Sequence, residues 1–99
     1  MSANLNRNKY LEACFFDAYG LPCEIEQKIF KDANGYCERV VLKVRDKRGN
    51  IYGIIENYNG GTNETTKNVV LEDTKTNTST VFNDVLNAEL AMVDIIRSR

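Results

Sequence analysis

Apolar residues recur along this chain with two different periods. Leu11, Cys14, Phe15, Ala18 and Tyr19 fall at i, i+3, i+4, i+7 and i+8, with Glu12 and Asp17 off the stripe. That spacing marks one face of a helix. Asn6 or Asn8 supplies a cap, and Gly20 followed by Pro22 is a stop. The pattern predicts a helix over about residues 8–19, its stripe packed on the domain's own sheet. Residues 1–8 are polar and read as a frayed lead-in.

Beyond Pro22 the period shortens towards two, the period of strands. Residues 23–30 make a modest strand candidate, with Ile25 and Ile29 on one parity. Asp32-Ala33-Asn34-Gly35 follows, and Asn-Gly between two strand-like runs signals a hairpin, since both residues tolerate positive φ. In the run 36–45, Val40, Leu42 and Val44 share one side, and Arg39, Lys43 and Arg45 share the other with Val41. Lys47-Arg48-Gly49-Asn50 turns the chain into a strand over 51–58. Both faces of that strand are apolar, and Gly53 in its middle reads as a bend over which a barrel folds. A polar loop over 59–67 leads to a strand over 68–73, and a second polar loop covers 74–79.

The last twenty residues fit two patterns. Leu86, Leu90, Val93 and Ile96 make a helical stripe. Equally, residues 80–86 form a strand, 88–91 a single helical turn and 93–96 a closing strand; periodicity alone does not arbitrate. The β-branched lead-in at Val81 and Val85, and lead-out at Val93, Ile95 and Ile96, favour strand–turn–strand. The expected organisation is one domain over 1–99: an arm and helix over 1–22, an extra strand or hairpin lead-in over 23–38, and a barrel over 39–99.

Composition narrows the chemistry. Ninety-nine residues with 42% hydrophobic side chains support one thin core. No apolar stretch reaches the roughly 20 residues of a membrane span. The start carries no long apolar run, so the reading is an intracellular protein, cytoplasmic or nuclear, and not secreted. On that reading the sequons at Asn63 and Asn77 are accidents of Asn/Thr-rich loops. There is no His, which removes the commonest general base and metal ligand. Cys14, Cys23 and Cys37 form no C-x-x-C and read as buried reduced thiols, not as zinc ligands or a nucleophile. Glu24/Glu26 and Glu72/Asp73 are close carboxylate pairs without an accompanying signature, and Asn59-Gly60-Gly61-Thr62 lacks phosphate-loop spacing. The expectation is therefore no enzyme, no metal and no cofactor.

Charge is unevenly spread. Net charge is −1, yet Arg39, Lys43, Arg45, Lys47 and Arg48 fall within ten residues, offset only by Asp46. A basic strand and turn on a nearly neutral domain reads either as a phosphate contact or as a solvated outer face with edge-protecting charges.

The run Val40-Val41-Leu42-Lys43-Val44-Arg45-Asp46, then Gly49 through Asn59, then Asn68-Val69-Val70-Leu71-Glu72-Asp73, resembles the first motif of Sm and Sm-like proteins. Residues 85–96 resemble the strand, short turn and closing strand of the second motif, although Asn87-Ala88 stands where the family has Arg-Gly. The resemblance implies a small, strongly bent five-stranded barrel behind an N-terminal helix, mainly β. The alternative is an α+β antiparallel sheet with helices at both termini.

The resemblance further implies single-stranded RNA as partner, held at the loop between the second and third barrel strands. Tyr58 would stack on a base, Asn59 and Asn68 would read its edge, and Lys67 would approach phosphate. Lys43, Arg45 and Arg48 would extend the phosphate contact. It implies rings as well, closed through edge strands near Val81–Leu86 and Val93–Ile96. The rival function is a protein-interaction or regulatory, inhibitor-type domain without RNA. The missing Arg-Gly and the near-zero net charge favour that rival; the basic segment favours RNA.

Overall fold

The computed structural model describes residues 3–60 and 65–99. Helix α1 (Ala3–Tyr19) leads into strands β1 (Cys23–Lys31), β2 (Cys37–Asp46), β3 (Ile51–Tyr58), β4 (Thr66–Asp73) and β5 (Thr78–Phe82), and helix α2 (Val85–Ser98) closes the chain. The strands form one antiparallel sheet in the order β1-β2-β3-β4-β5. The architecture is thus mainly β, with a helix at each end, and the sheet is open: β1 and β5 are its two edges.

Three hairpin turns are built on one device, an aspartate that leads the turn and accepts from its backbone. Asp32 Oδ1 accepts from Asn34 N and Tyr36 N, and Asp46 Oδ1 from Arg48 N and Asn50 N. Asp73 Oδ1 accepts from Lys75 N. The first two turns place glycine at positive φ, Gly35 and Gly49 both at 87°, and the third places Asn77 at 56°. Of Asn34-Gly35 only the glycine takes a positive φ. A tight turn closed by an αL residue matches the twist of the flanking strands.

One face of the sheet is covered. Ile25, Val44, Tyr52, Ile54, Val69 and Leu71 bury against Phe15 of α1 and Ala88, Met92 and Val93 of α2. Helix α2 crosses β3, β4 and β5, while α1 lies along β1. Two side chains of α1 reach the outer edge of β1: Asn8 Oδ1 accepts from Gln27 N and Glu12 Oε2 from Ile25 N, each at 3.0 Å.

Several expectations are corrected here. Helix α1 begins at Ala3, well before residue 8, so Asn8 lies inside it and serves β1 instead of a cap. Its buried stripe is narrower than the spacing implied: Phe15 is buried, Leu11 and Tyr19 are half-buried, and Cys14 and Ala18 are exposed, because α1 packs at the sheet's edge. Cys14 is therefore not a buried thiol, and Cys23 and Cys37 are only half-buried. The strand–turn–strand over 80–96 is replaced by β5 and α2. Asp84 caps that helix, its carboxylate accepting from Asn87 N at 2.8 Å. Ala88, Met92 and Val93 then bury along one face, with Val85 and Ile96 packed beside them. The residues that resemble the second Sm motif thus form a helix, and Val93–Ile96 supplies no edge strand.

Gly53 does not interrupt the strand pairing. It pairs in register with Lys43 and Glu72 in the middle of β3, while the register shifts lie at Phe30/Lys31 and Asn57/Tyr58. The sequon at Asn63 lies outside the described residues.

A buried polar chain ties the last turn of the protein to two hairpins. Tyr52, fully buried, donates its hydroxyl to Asp46 Oδ2 at 3.1 Å and accepts from Arg99 at 2.9 Å. Arg99 makes a two-pronged ion pair with Asp73. Burial acts to raise the Asp46 carboxyl, but hydrogen bonds from Asn50, Tyr52 and Arg48 outweigh it and hold it below the usual range. The Arg99 hydrogen bond does the same for Asp73.

Candidate interaction surface

Alternation along the strands puts half of the sheet's side chains on the face opposite the helices. Strand register sorts them into rows. Val41 pairs with Ile55, Ile55 with Val70 and Val70 with Val81, giving an unbroken aliphatic row across β2, β3, β4 and β5. Val41, Ile55 and Val70 are half-buried by one another, and Val81 at the end is 66% exposed. Among the described residues no helix lies over this row.

The rows beside it are polar. On one side Arg39, Asn57 and Asn68 are in register, and Asn57 Nδ2 donates to Asn68 Oδ1 at 2.8 Å. Arg39 lies over the Phe30 ring, 4.3 Å from its centroid. On the other side run Glu26, Lys43, Gly53, Glu72 and Ser79. The Glu72 carboxylate leans over Gly53, 3.4 Å from where a Cβ would stand. Glu24 stands opposite Arg45 at the next step. The face therefore alternates in charge around an aliphatic centre.

The register brings Tyr58, Asn59, Lys67 and Asn68 to the same β3–β4 end of the sheet, whereas Lys43, Arg45 and Arg48 lie away from it. Lys43 and Arg45 are exposed on the uncovered face of β2, each opposite a carboxylate of β1. Asn68 is on the same face but is engaged with Asn57. Tyr58 is half-buried at the end of β3. Asn59 binds across its own loop, its backbone N–H donating to Thr65 O and its side-chain amide to Thr65 Oγ1. Lys67 is exposed near the start of β4. Arg48 sits in the β2–β3 turn at the opposite end of the sheet, a strand length of about 25 Å away.

Sequence reading missed the row itself. Strand parity sets Val41 beside Arg39, Lys43 and Arg45, but only the register between strands lines up Val41, Ile55, Val70 and Val81. Ile55 reads in the sequence as part of a strand with two apolar faces, whereas with Val70 it lies on the face that no helix covers.

Burial, followed by the charges of Asp46 and Glu12, pushes the Cys23 thiol up to about 11, away from a thiolate. Among the described residues no group of three His, Cys, Asp or Glu side chains is placed to hold a metal ion. No described helix is long and apolar enough to cross a membrane.

An apolar cavity of about 280 Å³ opens between α1, α2 and the covered face, lined by Leu11, Phe15, Leu42, Ile54 and Met92 with Glu89 beside them. Glu89 is engaged with Tyr19, whose hydroxyl is pushed up to about 12 by burial and then by that hydrogen bond.

No protein-family model, no curated protein and no solved structure matches this chain.

Proposed function

We propose that this chain is a non-catalytic protein-interaction domain that binds through the uncovered face of its sheet. The observation that carries the reading is the in-register row Val41–Ile55–Val70–Val81. A contiguous aliphatic strip rimmed by polar and charged residues has the anatomy of a protein contact, an apolar centre inside a polar rim. The rim sets the partner's chemistry: an aliphatic patch, with acidic groups facing Arg39 and Lys43 and a basic group facing Glu72.

A nucleic-acid reading rests on Lys43, Arg45 and Asn68 sharing this face. Its electrostatics are weaker, because Glu24 and Glu26 stand opposite those two cations and damp the potential that would gather phosphates. Phe30, an aromatic ring on this face, is already stacked under Arg39. Base stacking at about 1–3 kcal/mol per base needs free rings.

Two measurements separate these readings. Ile55→Lys/Val70→Lys, whose side chains leave the helix-covered core untouched, is expected to keep the wild-type circular dichroism spectrum and lose at least ten-fold in affinity for the protein partner captured by wild type. Short single-stranded RNA titrated at low salt is expected to leave the chain unbound. Equal capture by the variant, or RNA binding that weakens steeply with salt and with Lys43→Ala/Arg45→Ala, overturns the proposal.

A further inference from the structure

The two helices divide the covered face between them. Helix α1 is seated on β1 and α2 on β3, β4 and β5, so they part over β2. Leu42 reflects the gap: it stands opposite the buried Ile54 on the covered face, yet is itself only half-buried. The apolar cavity of about 280 Å³ lies there. Ile25, Leu42, Val44 and Ile54 make its floor, and Phe15 and Met92 wall it from the two helices. Cys14 and Ala18 of α1 are exposed and Glu89 of α2 is half-buried, so these three mark its mouth. Among the described residues, Glu89 is the one charged group of the lining. Arg97, the cation beside Tyr19, does not line the cavity and is held on the Tyr19 carbonyl at 3.0 Å.

We infer that this cavity is a binding site for a small amphiphilic amine, an apolar body with an ammonium head, and that it works independently of the interaction surface on the opposite face. Volume sets the size of the body. A cavity of about 150 Å³ takes a benzene ring, so this one has room for roughly ten carbons. The lining sets its chemistry: hydrocarbon gains burial and dispersion against these side chains, at about four-fold in affinity for each methylene taken out of water. Glu89 sets the head. An ammonium at the mouth makes a charge-assisted pair with its carboxylate, whereas the carboxylate of a fatty acid meets like charge there. An apolar pocket with one placed polar group is the usual anatomy of a small-molecule site. Val44, Ile54 and Met92 are fixed by the packed fold, so little ordering opposes binding.

Octylamine, octanol and octanoate, each titrated at fixed ionic strength while the Met92 and Ile54 methyl resonances are followed, test this. Octylamine is expected to bind tightest and to shift both methyls, with octanoate at least ten-fold weaker. Butylamine, hexylamine and octylamine are expected to tighten by about four-fold per methylene. Glu89→Gln, which keeps an acceptor for Tyr19, is expected to weaken octylamine to the level of octanol and to leave octanol unchanged. Ala18→Trp, at an exposed position of α1, is expected to plug the mouth and abolish binding with an unchanged melting curve. Ile55→Lys/Val70→Lys, on the other face, is expected to bind octylamine as wild type does. Methyls that stay unshifted at millimolar octylamine, or octanoate that binds as tightly, overturn the site. Octylamine and octanol binding alike, with no response to Glu89→Gln, overturns the amine. Octylamine that shifts surface resonances but not Met92, or binds the folded Ala18→Trp variant as before, is unspecific attraction to carboxylates and overturns the proposal too.

Discussion

Tyr52→Ala is expected to destabilise the fold by about 3–5 kcal/mol, the range for removing a large buried aromatic. Tyr52 is fully buried and is among the largest side chains in the core. Its ring fills the space between Val44 and Asp73, its register partners on the neighbouring strands. Its hydroxyl joins Asp46 to Arg99. Truncation therefore leaves a cavity under the sheet and also removes a donor from one buried carboxylate. Total stability of small domains is about 5–15 kcal/mol, so a large share of it is at stake. Tyr52→Phe separates the two effects: it keeps the packing and is expected to cost about 1–2 kcal/mol. Urea unfolding of both variants checks this; a loss below 1 kcal/mol for Tyr52→Ala would mean that the sheet's covered face is not where we place it.

The second large effect is acid sensitivity through Asp73 and Asp46. Both carboxyls titrate in the folded chain below their ordinary value of 3.8, Asp73 because Arg99 binds it and Asp46 because its hydrogen bonds outweigh burial. A carboxyl depressed by folding adds stability that is complete above the unfolded value. That stability is lost as pH falls through the folded value, because the unfolded chain takes up the proton first. The urea midpoint is therefore expected to hold from about pH 7 to about pH 4 and then drop steeply. Asp73→Asn removes the charge that compensates the largely buried Arg99 and is expected to lower Tm by on the order of 10 °C at neutral pH. It is also expected to flatten the acid limb. An unchanged acid limb in this variant would show that other carboxylates carry the dependence.

Much of the sheet is legible in the sequence, because local chemistry dictates it. The turn at Asp46–Asn50 needs only an aspartate, a glycine and the strands beside them, so β2 and β3 follow almost directly. The end of the chain does not yield the same way. Val81, Val85, Val93 and Ile95 lean towards strand by intrinsic preference. What decides for α2 is tertiary: Asp84 caps it, and Ala88 and Met92 find a sheet face to bury against. Propensity is a weak prior when packing can override it.

The proposed surface is hidden for a related reason. A basic β2 is visible residue by residue, but the carboxylates that damp it, Glu24 and Glu26, belong to a neighbour strand and appear only with the register. The same holds for the aliphatic row. Lys43, Arg45 and Arg48 lie close together in the sequence, yet the first two stand on the uncovered face of β2 and Arg48 sits in the turn beyond it.

Two helices seal one face of the sheet, and the other carries the aliphatic row. Methyl NMR with a soluble paramagnetic probe, at concentrations where the chain is monomeric, tests this most directly. The account predicts strong broadening of Val81, clear broadening of Val41, Ile55 and Val70, and protection of Val44, Ile54, Val69 and Val93. Equal protection of both sets, as in a sheet closed on itself, would contradict it.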